Sequence, residues 1–366
     1  MERFGIGINS GSDSVPLELT TYFRKKNHKI TLLEGLNFWT DNANDHDYRV
    51  SDSNYELTRK STDEILGYVL KENYDVIHSH TRSRKLTELN KKKKESGVPL
   101  IHTVHGRDEL THDIALEHMK HADLITTPSR YVMDEIRDSF PEKNTIAVPN
   151  STHFTDYKKD QKVREMTEDF KRKLKTNADE KIILCVGRLQ EDKGIYETGE
   201  AVTELIKEGY NIKLVHAGPA FDVKEREILE NKFKNHPSKL EILGFQPSDV
   251  LPSLYKAADI FVLPSDMRFE NMPVVGLETL AMETPLIVSD IGGPKEAFVD
   301  PGFAIGVRPR DKNSIKEGIR YVFDNYNHEK KRAEVASQVI ERYYHTDKIS
   351  DVWLNIYRKL SNKNGK

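Results

Sequence analysis

A chain of 366 residues, 37% hydrophobic and 31% charged, has the size of two globular domains and a heavily charged surface. Its 56 basic and 59 acidic residues leave a net charge of −3, which excludes a global nucleic-acid footprint, and a single cysteine, Cys185, excludes a disulfide scaffold. No run approaches the ~18 consecutive apolar residues of a membrane span, and residues 1–9 turn polar too soon for a signal peptide, so a cytoplasmic location is expected.

Short β-branched runs recur along the chain with amphipathic stretches between them, the pattern of βαβ units. In the first half they cover residues 4–8, 30–33, 75–78, 100–104, 124–127 and 145–148. A charged connector over 155–180, with Lys158, Lys159, Asp160, Arg164, Glu165 and Arg172, is expected to hold one exposed helix. The second half repeats the rhythm at 181–186, 212–217, 240–243, 260–263, 286–289 and 304–307. Most runs are continuously apolar, as in strands covered on both faces, which predicts two doubly wound parallel sheets of about six strands each. A last helix over 349–360 carries Trp353, Ile356, Tyr357 and Leu360 at helical spacing and must dock on something.

Ligands of open α/β sheets sit at loops that follow strands, and four such loops in the second half carry suitable residues. Gly187-Arg188-Leu189-Gln190-Glu191-Asp192-Lys193-Gly194 puts an arginine and a lysine beside a helix start near Ile195, suited to a diphosphate. Glu270 and Glu278 flank Pro273, a residue expected at the first helical position, and two carboxylates at that offset can each accept hydrogen bonds from a hydroxyl-bearing ring. Gly292-Gly293-Pro294-Lys295-Glu296 allows close backbone approach, and Leu243-Gly244-Phe245-Gln246-Pro247 could hold a flat base. Taken singly, each also fits an ordinary surface loop or turn.

Their order is more specific than any one of them. The succession of Gly187–Gly194, Gly244, Ala258-Asp259-Ile260-Phe261-Val262-Leu263-Pro264-Ser265, the two glutamates, Thr284-Pro285 and Gly292-Gly293 resembles the family 4 glycosyltransferases of the GT-B fold, most strongly over residues 181–296. The resemblance implies two Rossmann-like domains facing across a cleft. The acceptor-side domain would span 1–157 with a returning helix in 346–366, and the donor-binding domain 158–345. Arg188 and Lys193 would neutralise the departing diphosphate. Glu270 would touch hydroxyls of the transferred sugar, beside backbone N–H groups of Asn271 and Met272, while Glu278 would bind the ribose. Phe245 and Gln246 stand where the family meets the base, Gly11 lies in the first strand–helix loop, where the family brings a glycine close to the phosphates, and Gly187 opens the donor-binding loop. Two departures stand out: Asn271-Met272 replaces the customary Gly-Phe, and Glu283 replaces a glycine at a helix end, a matter of local geometry.

In the first half, the segments ending in His80 and in His105-Gly106 resemble acceptor-domain segments of the same family, and His105 matches a histidine that orients the reacting sugar. Val148-Pro149-Asn150 resembles the family's Pro-Asn-Gly, with Ser151 for the glycine. Seven of the 14 histidines lie between His78 and His121, but no metal-ligand spacing accompanies them, and His118 and His121 read as an i, i+3 pair on a helix surface. Asp45-His46-Asp47 matches the D-x-D pattern of metal-dependent GT-A enzymes in a polar loop far from the other motifs, and is read as chance. The glycines Gly5, Gly7 and Gly11 miss the dinucleotide fingerprint by one residue, which leaves a dehydrogenase as the weakest reading. Arg82, Arg84, Lys85, Lys91, Lys92, Lys93 and Lys94 concentrate positive charge, a solvated helix face or a surface for anionic lipid or a phosphorylated acceptor.

The resemblance implies a retaining hexosyltransferase that uses UDP- or GDP-sugar, needs no metal or other cofactor, and serves a glycan, lipid-linked or cell-envelope acceptor in polysaccharide biosynthesis. The alternatives are a nucleotide-sugar epimerase or hydrolase on the same fold, which would consume donor without acceptor, and a silent subunit that binds glycans or a partner protein.

Overall fold

The computed structural model describes residues 3–8, 14–35, 48–52, 55–60, 73–80, 91–92, 95, 97–174, 177–220, 222–266 and 270–361. The chain divides into two compact units, Met1–Asn150 with Thr346–Lys366, and Ser151–His345. Residues 151–157, expected in the first domain, belong to the second unit. Phe154 is the reason: it is buried in that unit's core, its ring meeting Tyr255 edge-on at 6.0 Å.

Among the described residues, the first unit holds an eight-stranded sheet in the order β4-β3-β2-β1-β5-β6-β7-β8. Strands β1 (Arg3–Ile8), β2 (Lys29–Gly35), β5 (Val76–His80), β6 (Leu100–Thr103), β7 (Leu124–Thr127) and β8 (Thr145–Ala147) are parallel. Strands β3 (Tyr48–Asp52) and β4 (Tyr55–Lys60) add an antiparallel pair at the β2 edge, a correction to the six strands anticipated. Their sequences alternate polar and apolar residues, as an edge pair does, and so lack the continuous apolar run that marks the parallel strands. Gly5 and Gly7 lie inside β1 rather than in a loop, which removes them from any phosphate-binding turn.

Strand residues alternate between faces. One face packs Ile30, Val76, Ile101 and Leu124 against Leu19, Tyr22 and Phe23 of α1 (Ser14–Lys25). The other packs Val104 and Ile125 against Ala115 and Met119 of α2 (Asp113–His121) and Val132 and Ile136 of α3 (Arg130–Ser139). The chain's last helix, Thr346–Ser361, docks on the α1 face through Ile349, Trp353, Leu354 and Tyr357.

In the second unit a helix α4 (Gln161–Leu174) precedes the sheet. It is not simply exposed: Val163, Thr167 and Leu174 are buried, because every third or fourth residue of that charged segment is apolar or small. The sheet has six parallel strands in the order β11-β10-β9-β12-β13-β14. These are β9 (Lys181–Val186), β10 (Ile212–Ala217), β11 (Leu240–Gly244), β12 (Ile260–Leu263), β13 (Leu286–Ser289) and β14 (Ile305–Val307). Ile183, Leu214, Val262 and Ile287 fill the core on one face, where α5 (Ile195–Lys207) lies, and Ile182, Leu184, Phe261 and Val288 fill the other. Strand order reverses direction between β9 and β12, and ligands of such sheets sit at the carboxyl ends of the strands on either side of that point.

Candidate active site

The loops after β9 and β12 flank the reversal, and they are tied to each other. The amide of Asp266 donates to the Asp192 carbonyl at 2.8 Å, and Lys193 forms an ion pair with Glu270. Arg310, beyond β14, donates to Glu191 at 2.7 Å and lies 3.6 Å from Asp266, joining the same two loops a third time. Arg188 stands 3.9 Å from Asp192 across one turn of the β9 loop, and Leu189 anchors that loop by burying its side chain. Four residues singled out from sequence, Gly187, Arg188, Lys193 and Glu270, thus lie in the two loops at the carboxyl end of one sheet, Lys193 and Glu270 in contact. Arg310 and Asp266 were not anticipated; nothing in their local sequence marks them, because their contacts come from distant loops.

After Glu270, Asn271 and Met272 are buried, Met272 within the core. Pro273 caps the helix that follows, with ψ near 123°, and α6 (Val223–Lys232) and α7 (Leu251–Ala257) precede α8 (Val274–Ala281) in the chain. The proline therefore stands one residue before the first helical position expected for it. The first N–H groups of α8 lack intrahelical acceptors and carry the positive end of the helix dipole. Glu278, one turn in, is buried and accepts a hydrogen bond from the Tyr255 hydroxyl of α7 at 2.7 Å. Burial and the Glu278 carboxylate push the Tyr255 hydroxyl's pKa well above its usual value, so it remains a donor.

Two glycines are required by close approach. A Cβ on Gly293 would stand 1.6 Å from the Asn271 carbonyl oxygen, so the turn after β13 and the loop after β12 touch main chain to main chain. A Cβ on Gly218, just after β10, would stand 1.7 Å from the Gly187 carbonyl oxygen. Gly218 also donates its amide to Gly244 at 2.8 Å, so the ends of β9, β10 and β11 form a floor without side chains. The sequence signal for Gly218 is Gly218-Pro219 directly after an apolar run. Phe245, at the end of β11, is 74% exposed, and the Gln246 amide donates to the carbonyls of Leu243 and Phe245.

In the first unit, His80 ends β5 and His105 follows β6, and their Nδ1 and Nε2 atoms lie 2.9 Å apart. Glu109, missed from sequence, pins the main chain there: its Oε1 accepts the amides of His105 at 2.8 Å and Gly106 at 3.2 Å. The Gly-x-x-Glu spacing at 106–109 is the signal that marks such a helix-start contact. Asn150 is buried beyond β8. His118 is 1% exposed and stacks on His102 with ring centres 5.2 Å apart, which corrects its reading as a surface residue; His121, half-buried, contacts Glu117 at 3.0 Å. Among the described residues no group of three His, Cys, Asp or Glu side chains comes together to hold a metal ion. Gly11, Arg82, Arg84, Lys85, Lys93, Lys94 and Asp45-His46-Asp47 lie outside the described residues; of the basic segment, Lys91 pairs with Glu117 at 2.8 Å. No described helix is long and apolar enough to cross a membrane.

The family model described as Glycosyl transferases group 1 matches residues 166–339, and that described as Glycosyltransferase Family 4 matches residues 10–153. The chain is 28% identical over 309 residues to an uncharacterized glycosyltransferase of Methanocaldococcus jannaschii, covering 80% of this chain and 77% of that one. It is 25% identical over 280 residues to the alpha-D-kanosaminyltransferase of Streptomyces kanamyceticus, covering 72% and 71%. Its fold is similar to that of sucrose-phosphate synthase from Thermosynechococcus elongatus, with TM-score 0.78, 17% identity and coverage of 98% and 99%. It is likewise similar to Anabaena HepE in complex with UDP and glucose, with TM-score 0.77, 12% identity and coverage of 98% and 100%.

Proposed function

Because the chain belongs to the family 4 glycosyltransferases of the GT-B fold, we propose that it moves a hexosyl group from UDP- or GDP-sugar to a hydroxyl of a glycan, lipid-linked or cell-envelope acceptor, retaining the anomeric configuration. The observation that carries this reading is the Lys193–Glu270 ion pair between the two loops at the reversal point of the second sheet, with Arg188 in one loop and the start of α8 following Glu270 in the other. A cation pair and a helix N-terminus suit a diphosphate, and a carboxylate beside them suits the hydroxyls of the attached sugar. The UDP and glucose held by HepE are of the same chemical kind.

As the bond from the anomeric carbon to the diphosphate oxygen breaks, its electron pair passes to that oxygen. Arg188, Lys193 and the α8 amides are placed to stabilise the charge that builds there, the task an oxyanion hole performs for a carbonyl oxygen. The leaving phosphate takes the acceptor proton on the same face, so no protein nucleophile is required. Cationic side chains do the work at the diphosphate, and turnover in EDTA tests that no metal is needed. Glu278, held by Tyr255, binds the ribose; Asn271 and Met272 offer main-chain N–H groups; Phe245 and Gln246 meet the base. His80, His105 and Asn150 serve the acceptor side, and the basic segment that includes Lys91 and Lys92 gives peripheral contact with an anionic membrane face.

The test is turnover of Arg188→Ala and Glu270→Ala with UDP- and GDP-sugars, with the anomeric configuration of the product read by NMR. Each variant is expected to lose about 10²-fold or more in kcat, by comparison with lost charge-stabilising groups. Near-normal turnover in either would contradict the assignment, and rapid donor consumption without acceptor would favour hydrolysis or epimerisation.

A further inference from the structure

Four rings form a continuous row of contacts within the first unit, tilted at 41° and 39° over the first two steps and stacked at the third. The Trp353 and His78 ring centres are 4.5 Å apart, His78 and His80 4.0 Å, and His80 and His105 5.1 Å. The row starts on the chain's last helix, passes through two β5 residues that share a face by their i, i+2 spacing, and ends at the loop after β6. His78 is locked in place: its Nδ1 lies 2.6 Å from the Tyr357 hydroxyl and its Nε2 2.6 Å from Thr103 Oγ1. Thr103 Oγ1 in turn lies 2.6 Å from Thr126 Oγ1. With both ring nitrogens committed, His78 offers His80 a platform and no hydrogen bond.

His80 has a different balance. Its Nδ1 meets His105 Nε2, and its Nε2 is buried without a hydrogen-bond partner among the described residues. Burial first, then the neighbouring His78, His105 and His102 rings, hold its pKa well below 6.5, so it is neutral at pH 7 and carries one N–H. If that hydrogen were on Nε2, it would be a buried donor with nothing to receive it, and His80 Nδ1 would be the acceptor. If it is on Nδ1, it is used, and an unpaired lone pair is all that is left on Nε2. Orphaned buried donors are the rarer of the two defects in folded proteins.

We propose that His80 is a positioning residue that donates its Nδ1–H to His105 Nε2, fixing His105 as the tautomer protonated on Nδ1 and holding its ring through the row of ring contacts that begins at Trp353. This rests on the reading that His105 serves the reacting sugar. The consequence is specific: with its Nε2 lone pair occupied, His105 is no base at Nε2, and its ring hydrogen stands on Nδ1. Partners of this kind set the tautomer and orientation of functional histidines generally.

The test is long-range ¹H–¹⁵N NMR of the full chain labelled at histidine, which reads the tautomer of each ring without substrate and so independently of the transferase reading. His105, assigned through a His105→Gln variant, is expected to show the Nδ1–H form. In His80→Phe that preference should be lost, with kcat down about 10- to 100-fold while UDP or GDP binding stays within twofold. His80→Asn, whose amide N–H₂ reaches toward the Nδ1 position, should restore part of the tautomer preference and of the rate. An Nε2–H form of His105 in the unmodified chain, or an unchanged Nδ1–H preference in His80→Phe, would overturn the proposal even if transferase activity is confirmed.

Discussion

Lys193 and Glu270 are 77 positions apart in the chain and meet as an ion pair with 18% and 10% of their side chains exposed. The pairing follows from topology: their loops follow β9 and β12, neighbours in the sheet on either side of its reversal. Removing one partner leaves a poorly solvated charge alone, which costs about 3–5 kcal/mol for a fully buried pair and less for one still touching water.

Lys193→Ala should therefore lower the melting temperature more than Lys193→Ala/Glu270→Ala does, because the double variant leaves no orphan. Activity should not follow that recovery: kcat should remain about 10²-fold down or more in both. Melting curves and initial rates on the set of variants check this, and a double variant as active as the unmodified chain would show that the pair has a structural role alone.

Tyr255→Phe removes one hydroxyl from the Glu278 carboxylate and little else. A hydrogen bond to a charged group is worth about 1.5–3 kcal/mol, part of which is recovered by rearrangement. Affinity for the nucleoside diphosphate should fall about tenfold with kcat at saturating donor little changed. Calorimetric titration of the nucleotide decides it; unchanged affinity would separate Glu278 from the ligand.

Stability should fall as the solution is acidified below neutrality. Burial is the leading cause that holds His78 and His80 well below 6.5 and His216 at about 4. Above about pH 7.5 these rings are neutral in both folded and unfolded chains and contribute no pH dependence. As pH drops through about 6.5 the unfolded chain takes up protons that the folded chain does not, so unfolding is favoured. The loss is about 1 kcal/mol per histidine by pH 5.5, two histidines in the first unit and one in the second. Carboxylates such as Glu117 and Glu204, lowered to about 2 chiefly by hydrogen bonds from Lys91 and Lys312, act only at lower pH. Urea midpoints at pH 7.5 and 5.5 check the sign, and a higher midpoint at pH 5.5 would contradict it.

Glu283 holds a left-handed φ of 64° just past the end of α8. Its amide donates to Leu280 and that of Thr284 to Thr279, the double contact that closes a helix on a left-handed residue. A non-glycine residue in that conformation costs about 1–2 kcal/mol, and the Lys330 contact is to the Glu283 carbonyl, which glycine keeps. Glu283→Gly should raise the melting temperature of the second unit by about 2–4 °C without changing kcat. A lower melting temperature would mean that the carboxylate has a stabilising role that outweighs the strain.

What was legible in the sequence was what one stretch of chain decides alone. The parallel strands announce themselves as continuous apolar runs, and Glu283 as a helix-end oddity. The edge pair β3 and β4 did not, because its residues alternate. His118 looked like a surface residue beside His121, since one helical turn cannot show that His102 waits on a strand to stack with it. The Lys193–Glu270 pair, the Arg310 contacts and the His80–His105 bond all join segments brought together by the sheet, and no local pattern encodes them.

The central claim, a nucleotide-sugar site at the carboxyl ends of β9 and β12, is tested most directly by titrating the full chain with UDP and with GDP by calorimetry, beside Arg188→Ala/Lys193→Ala. One nucleotide should bind with a stoichiometry of one, and the double variant should lose at least about 100-fold in affinity, as expected when two charge-assisted contacts to a diphosphate are removed. A folded chain that binds neither nucleotide, or a double variant that binds as tightly as the unmodified chain, would contradict it.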